Sequence, residues 1–191
     1  MEEKRLQEFL LGEVCDVQNG YTFSISQHRN VGNPIIRVRN VHNYQLQLDD
    51  IVYFGDNEID LSKFALRPED LVITAIGDFK VAWNQTNNSF YLNQGVWRLD
   101  PNLEILDKRW LFHFLSNLDL SSIISRGGVL PYLSIEKFKK IKIPVPSMSD
   151  QKNIAYKLDK LLELKEELRL RKKQNNYYRG KAWESFLSLA K

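Results

Sequence analysis

Alternation of apolar and polar side chains predicts a series of short strands in the first 146 residues. Over residues 33–41, Ile36 and Val38 fall on one face and Arg37 and Arg39 on the other, which is typical of a half-exposed strand. Apolar runs bounded by turn residues predict the remaining strands. These strands cover residues 46–54, 71–76, 79–83, 90–92 and 96–99.

Short helices are predicted where a capping side chain precedes a group of apolar residues. Asp107 and Ser134 are such caps, because their side-chain oxygens can accept from the first free N–H groups of a helix. Gly127 and Gly128 predict the end of another short helix. Together with the strands, these signals predict an α+β fold in which residues 1–146 form a β-rich globular domain.

Residues 147–191 are predicted to form one long helix. Pro144 and Pro146 hold the preceding backbone extended, and Ser149 is the predicted N-cap. The rest of the segment contains no proline and one glycine, Gly180. A helix of about 40 residues is longer than most helices of globular domains and indicates a coiled coil.

A heptad pattern runs along this helix, with apolar residues at both ends and polar residues in the middle. Such a helix is not stable alone in water and would span about 60 Å, so part of it is predicted to project and to pair with a second helix. The polar seam positions are Lys165, Lys172, Asn175 and Arg179. The predicted dimerisation residues are Ile154, Leu158, Leu161, Leu168, Ala182, Phe186 and Leu189.

Composition narrows the class of protein. Hydrophobic residues make up 43% and aromatic residues 12%, which is enough to form a packed core and argues against a disordered chain. One cysteine, Cys15, excludes a disulfide framework and a multi-cysteine zinc site. No apolar run is long enough for a transmembrane helix and no signal peptide is evident, so a reduced, cytoplasmic protein is expected.

Charge is unevenly distributed along the chain. Residues 1–150 contain 16 basic and 19 acidic side chains, a balance of −3, whereas residues 151–191 contain 11 and 5, a balance of +6. The first segment is therefore not a basic nucleic-acid domain by composition. A cationic helix is most often a solvated surface, so the second balance does not by itself indicate a nucleic-acid partner.

The sequence contains few of the groups that catalysis requires. The three histidines, His28, His42 and His113, show no metal-ligand spacing, and Cys15 is expected to be a small core residue. Neither a phosphate-binding glycine loop nor a methyltransferase-like tetrapeptide of the Asn-Pro-Pro-Tyr type occurs. We therefore expect a non-catalytic chain that binds no metal and no cofactor.

Two segments are rich in side chains that can read bases and phosphates. Arginine can donate two parallel hydrogen bonds to guanine, and asparagine or glutamine can pair with adenine. The alternative is that the amides stabilise turns. The predicted DNA-binding residues are Arg37, Arg39, Asn40, Lys80, Asn84 and Gln94.

Several short motifs follow one another in a characteristic order. They occupy residues 11–14, 19–20, 33–41, 66–74, 92–95, 128–134, 141–146 and 149–155. In this order they resemble the specificity subunit of type I restriction-modification enzymes. The resemblance extends over about residues 11–191 and departs from the family pattern at Glu69, where glycine is usual, and at Tyr132, where histidine is usual.

The resemblance implies a recognition domain followed by a helix that pairs antiparallel with a second helix and sets the spacing between two recognition domains. It also implies that the chain is non-catalytic and docks methyltransferase subunits, which bind S-adenosylmethionine and recruit motor-nuclease subunits. Family members usually carry two recognition domains and two helices. This chain carries one of each, so it resembles a half-subunit, and we expect a homodimer that reads a bipartite double-stranded DNA target.

Two alternatives to that expectation remain open. One is a truncated or regulatory half-subunit that binds the methyltransferase without directing it to DNA. The other is a scaffold that holds its partners through the coiled coil and binds no DNA, which the acidic balance of residues 1–150 would favour.

Overall fold

The computed structural model describes residues 6–42, 44–55, 59–125 and 130–189. The chain divides into two compact units, with the division after Lys152. The first unit is rich in short strands, and the described residues of the second, 153–189, lie within one helix of 42 residues, Met148–Leu189. The predicted α+β class, with a long C-terminal helix, is confirmed.

The strands of the described residues are short and most of them belong to two sheets. In chain order they are β1 (Gln7–Leu10), β2 (Cys15–Asn19), β3 (His28–Arg29), β4 (Asn33–Ile36), β5 (Val41–His42), β6 (Gln45–Leu46), β7 (Val52–Phe54), β8 (Ala65–Leu66), β9 (Leu71–Thr74), β10 (Val81–Trp83), β11 (Phe90–Leu92), β12 (Val96–Pro101), β13 (Ile124–Ser125), β14 (Tyr132–Leu133) and β15 (Lys142–Val145).

The helices are short except for the last. They are α1 (Leu11–Val14), α2 (Lys108–Ser116), α3 (Ile135–Lys139) and α4 (Met148–Leu189), with 3-10 turns at Ile25–Gln27, Val38–Asn40, Ser62–Phe64 and Ser121–Ile123. Within the described residues, no helix combines the length and the apolar character that crossing a membrane would require.

The two larger sheets share one core. The six-stranded sheet has the order β2-β12-β9-β10-β6-β5, and the five-stranded sheet has the order β3-β7-β4-β11-β8. All four residues of β9 are buried, as expected for a central strand with an almost continuous apolar run. Side chains from both sheets form one apolar cluster, which consists of Ile36, Val41, Leu66, Val72, Ala82, Phe90, Leu92 and Val96.

Cys15 begins β2 and is buried. Burial raises the pKa of its thiol to about 12, and the nearby Asp100 carboxylate acts in the same direction. The thiol therefore stays protonated at neutral pH and packs as a small core side chain, as its sequence context predicted.

The strand predicted over residues 33–41 is wrong in its second half. β4 ends at Ile36, and the chain then forms the 3-10 turn Val38–Asn40. Asn40 causes the change, because its side-chain Oδ1 accepts from the Arg37 N–H at 3.0 Å while its own N–H donates to the Arg37 carbonyl at 2.8 Å. A side chain that bonds to nearby backbone in this way competes with the strand ladder.

The predicted helix caps are confirmed for the two short helices. Asp107 Oδ1 accepts from Trp110 N at 2.9 Å, and Ser134 Oγ accepts from Lys137 N at 3.4 Å. For α4 the predicted cap Ser149 is wrong, because the helix begins at Met148. The predicted end of a helix at residues 127–128 lies outside the described residues.

Ser147 caps α4 instead. Its hydroxyl accepts from the Asp150 N–H at 3.2 Å and donates to the Asp150 carboxylate at 2.6 Å. Both bonds satisfy groups in the first turn, where a helix has N–H donors without intrahelical acceptors and where a carboxylate is stabilising.

Gln151 ties the first turn of α4 to the β-rich unit. Its side chain is completely buried, and its Oε1 accepts from the Asp107 N–H at 2.8 Å. Its Nε2 donates to the carbonyls of Ile105, at 2.9 Å, and Pro146, at 3.0 Å. The first turn of α4 therefore belongs to the β-rich unit, which extends through Lys152.

Gly20 follows β2 at a point where two backbone segments touch. A Cβ at this position would lie 2.2 Å from the Asn93 carbonyl oxygen. We therefore expect Gly20→Ala to lower the free energy of unfolding by about 1–3 kcal/mol, measured by urea denaturation. Gly180→Ala is the control, because a Cβ there meets nothing within 4 Å and alanine favours a helix by about 1 kcal/mol. Equal stability of Gly20→Ala and the wild type would contradict the close approach.

Candidate nucleic-acid interface

Three polar loops meet at one place on the β-rich unit. The Asn93 N–H donates to the Ile36 carbonyl at 2.9 Å, which brings the turn before β12 against the turn after β4. A Cβ built at Gly95, whose φ is +87°, would lie 3.3 Å from Val38 Cγ2 and 2.9 Å from Ile76 Cδ1. The loops at residues 37–40, 76–80 and 93–95 are called the loop cluster below.

The two predicted arginines belong to the loop cluster but differ in exposure. The Arg39 side chain is 68% exposed, and its Nε lies 3.0 Å from Asp50 Oδ2. The Arg37 side chain is 17% exposed, and its Nη2 donates to the Asp50 carbonyl and lies 3.4 Å from Asp50 Oδ2. Arg37 and Arg39 were predicted to share a strand face, whereas the structure places both in a turn against one aspartate.

Asn40 and Asn84 are both buried, and both side chains donate hydrogen bonds to main-chain carbonyls. Asn40 Nδ2 donates to the Gln47 carbonyl at 3.1 Å, and Asn84 Nδ2 donates to the carbonyls of Arg67, at 2.9 Å, and Asn88, at 3.0 Å. Neither amide is presented to solvent, so the structure gives both a structural role in place of the predicted base contact.

Lys80 and Gln94 complete the loop cluster. The Lys80 side chain is 36% exposed, and its Nζ lies 3.6 Å from Asp78 Oδ2. Gln94 is exposed, and its Oε1 accepts from the Thr22 hydroxyl at 3.0 Å. Its main-chain N–H donates to the Tyr21 carbonyl at 2.8 Å, so the backbone that carries the amide is fixed.

Of the six predicted DNA-binding residues, Arg39, Lys80 and Gln94 lie in the loop cluster with side chains that are at least partly exposed. Each of these three side chains can donate to bases or phosphates. The acidic partners, Asp50 and Asp78, are themselves 59% and 89% exposed. Exposed ion pairs contribute only about 0–1 kcal/mol, so a phosphate can replace Asp78 as the partner of Lys80 at little cost.

Sequence motifs that are far apart in the chain also meet beside the loop cluster. The Gly77 N–H donates to the Pro131 carbonyl at 2.8 Å, and Ile76 forms a β-bridge with Tyr132. Gly20 from an early motif touches the turn at Asn93. Motifs whose order gave the family resemblance therefore pack against one another in space.

Comparison with protein families gives a match over most of the chain. The family model described as "Type I restriction modification DNA specificity domain" matches residues 3–175. The chain belongs to this family. The resemblance of its short motifs to the specificity subunits is therefore confirmed.

Individual relatives carry the same description. The chain is 29% identical over 157 residues to the type I restriction enzyme EcoBI specificity subunit of Escherichia coli, which covers 80% of this chain and 31% of that protein. It is 30% identical over 139 residues to the type I restriction enzyme EcoKI specificity subunit of Escherichia coli strain K12. This match covers 68% of this chain and 29% of that protein. The chain thus spans less than a third of the length of either relative.

Solved structures show the same fold at low sequence identity. A chain from a structural study of complex assembly and conformational transition of the type I R-M system superposes with a TM-score of 0.68 and 18% identity, covering 86% of this chain and 40% of that one. The HsdS subunit from Thermoanaerobacter tengcongensis superposes with a TM-score of 0.61 and 20% sequence identity. This superposition covers 86% of this chain and 39% of that one.

One further candidate DNA-binding cation, Arg109, was not indicated by the sequence. The Arg109 guanidinium lies between two rings, 4.6 Å from the Trp83 centroid and 4.7 Å from the Phe112 centroid. The Tyr44 ring packs edge-on against Phe112 at 5.9 Å. Cation–π contacts of this kind hold an arginine in a fixed orientation. Because β10 and α2 are separated in the chain, no local pattern indicated that these residues meet.

The second unit, residues 153–189 of α4, carries exposed apolar side chains along the predicted seam. Leu161, Leu168 and Phe186 are 60%, 54% and 58% exposed. Ion pairs three or four residues apart lie along the helix surface. They join Lys160 with Glu163, Glu166 with Arg169, Glu167 with Arg171 and Lys181 with Glu184. These pairs do not cover the apolar side chains, which therefore remain available for a partner.

Proposed function

We propose that this chain is the DNA-recognition part of a type I restriction-modification specificity subunit. The observation that supports the proposal is the match of residues 3–175 to the DNA specificity domain, and the loop cluster with Arg39, Lys80 and Gln94 is the proposed recognition surface. The chain has no catalytic role in this proposal. It directs methyltransferase subunits, which bind S-adenosylmethionine, and through them the motor-nuclease subunit, to double-stranded DNA.

The side chains of the loop cluster contact different parts of the DNA in this proposal. Arg39 donates two hydrogen bonds to guanine O6 and N7, and Gln94 pairs with an adenine edge. Lys80 neutralises a backbone phosphate, which contributes affinity but no sequence information. A small cationic surface is compatible with the acidic balance of residues 1–150, because the field at one face depends on the local charges.

A second copy of the chain supplies the second recognition domain in our proposal. The exposed seam of α4 is the dimer surface, and two-fold symmetry makes the same patch contact itself. An antiparallel pair would place the apolar residues 154–168 of one helix against residues 182–189 of the other. A parallel pair would instead place Lys165 and Lys172 each against its own copy, where like charges repel.

The decisive experiment maps methylated sites in cells that express this chain with its methyltransferase subunit. A bipartite motif of two inverted half-sites supports the proposal in full. Methylation without any sequence motif would show that the chain docks the methyltransferase without reading DNA. Absence of both DNA binding and methyltransferase binding would favour a scaffold role and overturn the proposal.

Arg39→Ala tests the loop cluster directly. We expect it to weaken binding to the target by roughly 5- to 150-fold, because one bidentate base contact is worth about 1–3 kcal/mol. Gel-shift titration with the methyltransferase present measures the change. Lys142→Ala is the control, because Lys142 is an equally exposed cation that is paired with Glu8 at 2.8 Å outside the loop cluster. Equal losses in the two variants would show that only general charge attraction is involved.

A further inference from the structure

The turn that ends at Asp50 is fixed without using the Asp50 carboxylate. The Asp50 carbonyl accepts from Arg37 Nη2 and from Asn40 Nδ2 at 3.4 Å. The same Asn40 amide also donates to the Gln47 carbonyl at 3.1 Å, and the Gln47 N–H donates back to the Asn40 carbonyl at 2.8 Å. The backbone of this turn is therefore held against the Val38–Asn40 turn by main-chain acceptors alone.

The Asp50 carboxylate is directed at the two arginines. Its Oδ2 lies 3.0 Å from Arg39 Nε and 3.4 Å from Arg37 Nη2. Arg37 is largely buried and carries the carbonyl contact, whereas Arg39 is 68% exposed. An exposed arginine ordinarily samples many rotamers, and an ion pair at Nε restricts them. The ion pair joins Asp50 to Arg39 through Nε, and the guanidinium has four further N–H donors on Nη1 and Nη2.

A carboxylate on a DNA-binding surface is unfavourable for binding unless it also increases specificity. It repels phosphates and so lowers binding to every DNA sequence. A fixed guanidinium edge, in contrast, matches the O6 and N7 acceptors of guanine and penalises a base that lacks them. Asp50 therefore lowers general affinity for DNA and raises discrimination against bases that lack these acceptors.

We propose that Asp50 is a positioning residue that holds Arg39 for reading one guanine in each half-site of the target. The inference rests on the proposed function and deepens it, because it assigns one G·C pair of the recognition sequence to the Asp50–Arg39 pair. Arg39 touches the base, and Asp50 acts through Arg39. Arg37 contributes by fixing the turn.

The test uses Asp50→Asn, which keeps the side-chain size and leaves the main-chain contacts of the turn in place. The complex with the methyltransferase is titrated with duplexes that carry the wild-type motif or a single base-pair change in it. We expect discrimination to fall by up to about fivefold at one G·C pair, the worth of an exposed ion pair, and to be unchanged at the others. Binding to unrelated DNA is expected to rise, because one phosphate-repelling charge is removed.

A double-mutant cycle separates this role from a purely structural one. In the Arg39→Ala background, Asp50→Asn should change discrimination at that base pair no further, since the two residues act as one unit. Loss of discrimination at all positions, or at a pair different from the one Arg39→Ala affects, would overturn the inference. So would an unchanged motif in Asp50→Asn. These outcomes leave the proposed function standing, which instead fails if the wild-type complex shows no sequence preference at all.

Discussion

Replacing Gln151 by alanine is expected to lower the free energy of unfolding of the β-rich unit by about 3 kcal/mol or more. The substitution removes one acceptor and two donors from a fully buried position and leaves three main-chain groups without partners, those of Ile105, Asp107 and Pro146. Each buried polar group that loses its partner costs about 1–3 kcal/mol. Among single changes described above, this one should have the largest effect on stability.

Urea denaturation of the full chain, followed by tryptophan fluorescence, measures this change. Trp97 and Trp110 are buried in the β-rich unit and report its unfolding. Lys152→Ala is the matched control, because Lys152 is the exposed neighbour on the same helical turn and should leave the midpoint unchanged. A Gln151→Ala midpoint equal to that of the control would show that the buried amide contributes nothing.

Substituting aspartate for both Leu161 and Leu168 is expected to convert a dimer into a monomer. Burying a leucine side chain contributes about 1.5–3 kcal/mol, and each substitution occurs twice in a symmetric pair. The dissociation constant should therefore rise by more than about a thousandfold. Light scattering at micromolar concentration measures the change directly, and methylation of a bipartite motif should be lost with the dimer.

The matched control substitutes aspartate for Leu164 and Leu170. These leucines are 59% and 51% exposed on the same helix but lie off the predicted seam, so light scattering should still show a dimer. Loss of the dimer in both variants would show that the heptad register is wrong. A wild-type monomer, both alone and with the methyltransferase, would refute self-association.

The symmetry of the methylated sequence provides an independent test of the same pairing. A homodimer should yield two inverted copies of one half-site at a fixed distance, because each copy contributes an identical recognition unit. An asymmetric bipartite motif would show that a different recognition domain occupies the second position.

The fold could be predicted where the signal is local. The apolar run that forms β9, Leu71–Thr74, and the Asp107 cap of α2 both depend on consecutive residues, and the structure contains both. The strand predicted through Arg37 failed because Asn40 bonds to the Arg37 backbone, and that turn is held in place by bonds from Asn40 to Gln47 and Asp50, which are 7 and 10 residues further along the chain. A local pattern contains no information about such partners.

The candidate site, like the fold, could be predicted from the sequence only in part. The sequence indicated Arg39, Lys80 and Gln94 by residue type, but nothing in it separated them from the buried Asn84. Asparagine fits both a base contact and a turn, and only its burial and its main-chain partners decide between them. The position of Arg109 between two aromatic rings depends on the packing of α2 on β10, which residue spacing does not determine.

The buried amide of Asn40 has a consequence for how the specificity of such a chain could change over generations. It holds the backbone of its turn through Gln47 and Asp50, so the exposed side chain at position 39 contributes little to folding. Exposed substitutions usually change stability by less than about 0.5 kcal/mol. Under the proposed function, mutation at position 39 would therefore alter the preferred DNA sequence while the protein remains foldable.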